Sequence, residues 1–280
     1  MSKLSKLTLI LFLVILFLGT SCKEKNQFTS EQIKISVSLP PFADFVKQIT
    51  GNRADVFTLI PPGTNAHSFE PTPENLKNII DSDIYFGVGE ILNLEKLILE
   101  KIGTPEFDLI DCSSGIDIIN NNPHYWLSPK NVRIITQNIL DVLSNKYPQH
   151  KNYFTNNRNN FVHKVDSVSN IIYQIINKKS ENVLFVYHPA WKYFADQYNL
   201  EEISIEQDGK SPKANDLKNF IEAAKLKGAK CIFFDPHFDD SSVLAIAETL
   251  DLAIDSLNPL PTDYIKNMED IALKLDKHLK

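Results

Sequence analysis

From Ile33 onward the chain alternates short runs rich in β-branched and aromatic residues with amphipathic segments of helical spacing, the signature of parallel sheets with crossover helices. The β-rich runs form two groups. Ile33 to Ser38, Val56 to Ile60, Ile84 to Val88 and Phe107 to Ile110 make the first; Val183 to Tyr187, Glu202 to Ile205, Cys231 to Phe234 and Leu252 to Ile254 make the second. Between the groups, Lys151 to about Lys178 contains neither Gly nor Pro. Its apolar residues Phe154, Phe161, Val165, Val168, Ile172 and Ile175 recur at helical spacing, which predicts one long rigid helix. The expected fold is therefore α/β: two lobes, each a mainly parallel four-stranded sheet with flanking helices, joined by that helix. A stiff connector predicts modest motion between lobes. Helix starts are marked at Thr72-Pro73, Ser128-Pro129 and Ser211-Pro212, where a hydroxyl precedes a Pro whose missing N–H costs nothing, and more weakly at Thr262.

The first 22 residues read as an export signal. Lys3 and Lys6 precede an apolar run from Leu7 to Leu18, too short to span a bilayer comfortably, and Leu18-Gly19-Thr20-Ser21-Cys22 closes it. That ending resembles a bacterial lipoprotein signal, which implies lipidation of Cys22 and an extracytoplasmic chain anchored to a bacterial membrane, periplasmic or at the cell surface. Residues 23–31 are expected to be a solvated tether, 32–150 the N-terminal lobe, 151–179 the linking helix and 180–280 the C-terminal lobe.

With 43% hydrophobic residues the chain can bury a large core, and a formal charge of −6 without basic blocks excludes nucleic acid as a partner. A monomer is expected. Cys112 and Cys231 each sit in or beside an apolar run in a different half, so two buried free thiols are expected rather than a disulfide; neither forms a Cys-x-x-Cys pair.

An α/β sheet places ligands beyond the C-terminal ends of its strands. His67 follows Ile60 across Pro61-Pro62-Gly63, His188 directly follows Val183 to Tyr187, and Asp255 follows Leu252 to Ile254, while His124 precedes the helix start at Ser128-Pro129. Two come from each lobe, so a cleft between the lobes is where they would meet. Three imidazoles and a carboxylate suit tetrahedral Zn²⁺ at roughly 2.0–2.2 Å; Mn²⁺ takes the same groups more weakly and favours more oxygen. Four protein ligands leave no position for an activated water, which favours capture over hydrolysis. On spacing alone, each His is more readily a surface or satisfied polar residue, and the Asp a cap or turn residue.

The segments Pro61-Pro62-Gly63-Thr64-Asn65-Ala66-His67-Ser68-Phe69-Glu70-Pro71-Thr72-Pro73, Pro123-His124-Tyr125-Trp126-Leu127-Ser128-Pro129, His188-Pro189-Ala190-Trp191-Lys192-Tyr193-Phe194-Ala195 and Glu206-Gln207-Asp208-Gly209-Lys210-Ser211-Pro212 together are similar to the signatures of one family. That family is the zinc and manganese solute-binding proteins of ATP-driven (ABC) metal importers, and the resemblance is to its zinc-binding branch. It implies His67, His124, His188 and Asp255 as ligands in an inter-lobe cleft, Zn²⁺ or alternatively Mn²⁺ as the transported ion, an ABC permease with its cytoplasmic ATPase as partner, and no enzymatic activity. His237, in Phe234-Asp235-Pro236-His237, also follows a strand and competes as a ligand, but the family usually has a Gln there, so a cleft-wall or supporting role is expected; Glu206 and Asp235 are expected to orient ligands through their ring N–H groups. Two departures stand out. No His lies between Glu70 and Pro123, where many zinc members carry a His-rich loop, and Asn122 replaces the acidic residue usually found before Pro-His, which reads as a loop detail. His150, His163 and His278 are expected to be solvated, and Trp126 and Trp191 to pack.

Two other classes compete. A secreted zinc hydrolase would use Glu206 or Asp235 as general base, but no His-Glu-x-x-His, inverted form or Gly-x-Ser-x-Gly is present. An adhesive surface lipoprotein with a structural metal would unfold when the metal is removed.

Overall fold

Among the described residues, eight strands build two four-stranded parallel sheets with the same strand order. The computed structural model describes residues 32–66, 68–89, 94–206, 212–236 and 241–279, and residues 32–280 form one contact unit. The first sheet has strands β1 (Ile33–Val37), β2 (Ala54–Thr58), β3 (Ile84–Gly87) and β4 (Asp108–Asp111), ordered β2-β1-β3-β4. The second has β5 (Val183–Val186), β6 (Glu201–Ser204), β7 (Cys231–Phe234) and β8 (Ala253–Ser256), ordered β6-β5-β7-β8. In both, the order reverses between the first and third strands, which opens a crevice at their C-terminal ends.

The helices are α1 (Pro40–Thr50), α2 (Pro73–Ile80), α3 (Leu94–Ile102), α4 (Pro129–Lys146), α5 (Lys151–Ile176), α6 (Lys192–Gln197), α7 (Ala214–Lys227), α8 (Ser241–Leu250) and α9 (Tyr264–His278). The predicted linking helix is α5, whose 26 residues bury Phe154, Phe161, Val165, Val168 and Ile172 along one face. Helix α9 follows the second sheet in sequence but packs along α5. It is fixed to α1 through the Tyr264 N–H donating to Asp44 Oδ2 at 2.9 Å and the Phe45 and Tyr264 rings at 5.3 Å.

Strand alternation divides the second sheet's side chains between two cores. Leu184, Val186, Cys231 and Phe233 join the large core that contains the first sheet, α5 and α9, while Phe185, Ile205, Ile232 and Phe220 form a smaller one with α7 and α8. One apolar interior therefore runs through both halves, and α5 is not an isolated rod between them. Cys112 and Cys231 are both buried and free, as the sequence predicts.

Several element ends differ from the sequence reading, each for a local reason. Strand β2 starts two residues early, and its pairing still continues past Thr58, since the N–H groups of Leu59 and Ile60 donate to the carbonyls of Val37 and Ser38. Thr72 caps α2 as expected: its hydroxyl accepts the Asn75 N–H while the Asn75 side chain accepts the Thr72 N–H. Ser128 does not cap α4; its hydroxyl donates to Gln197 Oε1 at 2.6 Å, tying α4 to α6. Helix α7 begins at Ala214, past Pro212, and the last helix is capped by Asp263, whose carboxylate accepts the Lys266 N–H, rather than by Thr262.

Candidate metal centre

Strand β5 ends at Val186, and the Tyr187 N–H donates to the Phe233 carbonyl of β7, so His188 leaves the sheet at its switch point. The second imidazole comes from the first half. Asn120 and Asn121 both take left-handed backbone (φ 49 and 54), which Asn tolerates better than most residues, and they turn the chain into Asn122-Pro123-His124. A short 3₁₀ turn, Tyr125–Leu127, follows, with the Tyr125 hydroxyl donating to the Val88 carbonyl just beyond β3. The His124 turn is thus tied to the C-terminal end of β3, while His188 follows the C-terminal end of β5.

The two imidazoles meet. Their Nε2 atoms are 3.4 Å apart, and His124 and His188 are 7% and 5% exposed. Each Nδ1 faces an acceptor. His188 Nδ1 is 2.6 Å from Glu206 Oε2, a carboxylate at the end of β6 that is itself buried. His124 Nδ1 is 2.8 Å from Asn122 Oδ1, which also accepts the His124 backbone N–H at 2.9 Å. Because that backbone group is only a donor, the Asn122 atom facing it is the oxygen, and Nδ1 must carry the proton. A carboxylate imposes the same tautomer on His188. With Nδ1 protonated, each ring carries its lone pair on Nε2, the form in which a neutral imidazole ligates a metal.

Asp255 is held elsewhere. Its carboxylate accepts from His278 Nε2 at 3.0 Å and from the Ser256 N–H at 2.9 Å, with Lys274 and Lys277 Nζ at 3.5 and 3.4 Å. Burial opposes its ionisation, but His278, Ser256 and the two lysines hold its pKa below the usual carboxylate value. Among the described residues, no three His, Cys, Asp or Glu side chains converge as a metal-holding group. His67, His237 and Cys22 lie outside the described residues. Asp235, at the end of β7, is buried. His278 is not solvated as the sequence reading expects: its side chain is 9% exposed, because the end of α9 folds it onto Phe233 and Asp255. His150 sits beside Arg53, 3.4 Å from its Nη1.

Sequence reasoning passed over Glu202. Its Oε1 accepts the Trp191 N–H at 2.7 Å beneath the His188 segment, and burial lifts its carboxyl to about 7 against the opposing pull of that bond and of His188 and Lys192. The folded state thus keeps a proton that the unfolded chain releases near 4.5, so this group makes stability fall as pH rises from about 4.5 to about 7. Glu202→Gln is expected to flatten that part of the pH profile. Urea midpoints of the metal-free protein at pH 5 and pH 8 check it; an unchanged difference between the two pH values would count against the assignment.

Twin parallel sheets with a pair of buried, adjacent imidazoles, one from each half, define a class of metal-binding α/β receptor, and comparison with known proteins names the family. The family described as "Zinc-uptake complex component A periplasmic" (ZnuA) matches residues 35–278. The chain is 25% identical, in an alignment 278 positions long that covers 91% of this chain and 88% of that protein, to the manganese ABC transporter substrate-binding lipoprotein PsaA of Streptococcus pneumoniae. It is 25% identical, in an alignment 273 positions long that covers 89% of this chain and 85% of that protein, to the high-affinity zinc uptake system protein ZnuA of Bacillus subtilis. A crystal structure of ZnuA superposes with a TM-score of 0.83 at 30% identity, covering 89% of this chain and 99% of that one. The chain belongs to the ZnuA family.

Proposed function

We propose that this chain captures Zn²⁺, with Mn²⁺ as the alternative cargo, outside the cytoplasm and delivers it to an ABC permease with its cytoplasmic ATPase, acting as a monomer anchored through a lipid on Cys22. The observation that carries the reading is the imidazole pair. Two nitrogens each about 2.05 Å from one tetrahedral ion stand roughly 3.3 Å apart, and the Nε2 atoms of His124 and His188 stand 3.4 Å apart with both Nδ1 atoms turned to acceptors. The relatives support the cargo: one is named for manganese, another for zinc uptake, and a ZnuA deletion mutant was solved with zinc bound.

The proposed ligands are His67, His124, His188 and Asp255. Glu206 supports His188, and Asp235 and His237 stand as cleft-wall residues. Asp255 enters the set by family resemblance, and to ligate it must exchange its bonds to His278, Lys274 and Lys277 for the metal. That exchange offsets much of the gain, so Asp255→Ala is expected to weaken Zn²⁺ binding only about tenfold, far less than loss of an imidazole. No change at all removes Asp255 from the set.

A hydrolase would need a carboxylate free to take a proton from water, and Glu206 instead accepts the His188 Nδ1–H. Calorimetric titration of the chelator-stripped chain tests the proposal, with one Zn²⁺ per molecule and a still-folded metal-free protein as the expected result. A chain that binds no Zn²⁺ overturns it. Unfolding on chelation would make the metal a structural staple.

A further inference from the structure

The two imidazoles are supported differently, since His188 leans on a carboxylate and His124 on a neutral amide that also reaches into the other half of the protein. We infer that Asn122 is a positioning residue for the metal-binding imidazole pair: it locks His124 as the Nδ1–H tautomer and pins the His124 segment to the His188 segment. The inference rests on the metal-capture reading above.

Three side-chain hydrogen bonds carry it, and a fourth, to the Asn122 backbone, anchors the loop. Asn122 Oδ1 accepts from both the backbone N–H and Nδ1 of His124, at 2.9 and 2.8 Å. Asn122 Nδ2 donates to the carbonyl of Pro189, the residue after His188, at 3.0 Å. The Tyr193 hydroxyl donates to the Asn122 carbonyl at 2.9 Å. One side chain thus sets the ring orientation of one ligand and its distance from the other. A carboxylate at this position would hold the His124 ring equally well, but it would set a second acceptor against the Pro189 carbonyl. Only the amide has a donor for the cross-link and an acceptor for the ring. The same Tyr193 hydroxyl accepts the Ile119 N–H at 2.9 Å, so Tyr193 anchors the loop without touching the imidazole.

Three variants separate positioning from simple loop anchoring, read by Zn²⁺ competition titration and by long-range ¹H–¹⁵N NMR of the ring tautomers in the metal-free protein. Asn122→Ala is expected to lose about 10–100-fold in affinity and to leave His124 as a mixture of tautomers. Asn122→Asp, which restores the acceptor but not the donor, should recover the Nδ1–H tautomer and part of the affinity. Tyr193→Phe should keep both the tautomer and affinity within a few-fold of the parent. Wild-type affinity and a single tautomer in Asn122→Ala overturn the inference, as does a loss in Tyr193→Phe equal to that in Asn122→Ala. His124→Ala is the control for the reading beneath it: unchanged affinity there sinks metal ligation by His124 itself, whatever the Asn122 variants show.

Discussion

Replacing His188 with alanine is expected to weaken Zn²⁺ binding by roughly two to three orders of magnitude. Protein zinc sites with four ligands reach about 10–16 kcal/mol, so one ligand's share is about 3–4 kcal/mol, and each 1.4 kcal/mol is about tenfold. The same substitution should also destabilise the metal-free protein. Glu206 is 6% exposed and its carboxylate is bonded to the His188 Nδ1–H, so removing the ring leaves a buried acceptor facing a void, a loss of about 1–3 kcal/mol. The double variant His188→Ala, Glu206→Gln separates the two effects. It should regain much of the unfolding free energy, because the neutral amide is cheaper to bury, and none of the affinity. Competition calorimetry and urea denaturation on the same samples measure both quantities. A single variant that keeps wild-type affinity would take His188 off the metal.

How much of this was legible in the sequence follows from which forces act locally. The eight strands and α5 are declared by apolar runs and by a 3.6-residue repeat, both set by burial, so Cys231 to Phe234 and the long helix are found within a residue or two. Helix α9 was legible as a helix but not in its placement, because its contacts with Asp44 and Phe45 are more than two hundred residues away in the chain. At the site, His124 and His188 were legible because each follows or precedes a marked element and carries a family signature. Asn122 read as a loop detail, since its role depends on the Pro189 carbonyl 67 residues later. Asp255 shows the converse. The sequence reading puts it just after a strand, but β8 (Ala253–Ser256) runs through it, and the last turn of α9 brings His278 and two lysines to it, a meeting that neither strand pattern nor spacing announces.

Trp126 connects the site to the core, and Trp126→Ala is expected to cost about 3–5 kcal/mol of stability. The side chain is 1% exposed, its ring lies 6.0 Å from Phe42 and 5.4 Å from His124, and its indole N–H donates at 2.8 Å to the carbonyl of Pro259, between β8 and α9. It therefore joins the His124 turn to the connection that leaves the second sheet. Trp126→Phe keeps most of the apolar volume but leaves the Pro259 carbonyl without its donor, so about 1–3 kcal/mol is expected. Urea denaturation of the metal-free protein gives both values, and a cost below about 1 kcal/mol for the alanine would show that the neighbouring rings collapse into the space. The phenylalanine variant should bind Zn²⁺ more weakly than the parent although no ligand has changed. With the Pro259 bond gone, His124 loses one side of the frame that holds its Nε2 opposite that of His188, and the free energy of fixing that ring is then drawn from metal binding.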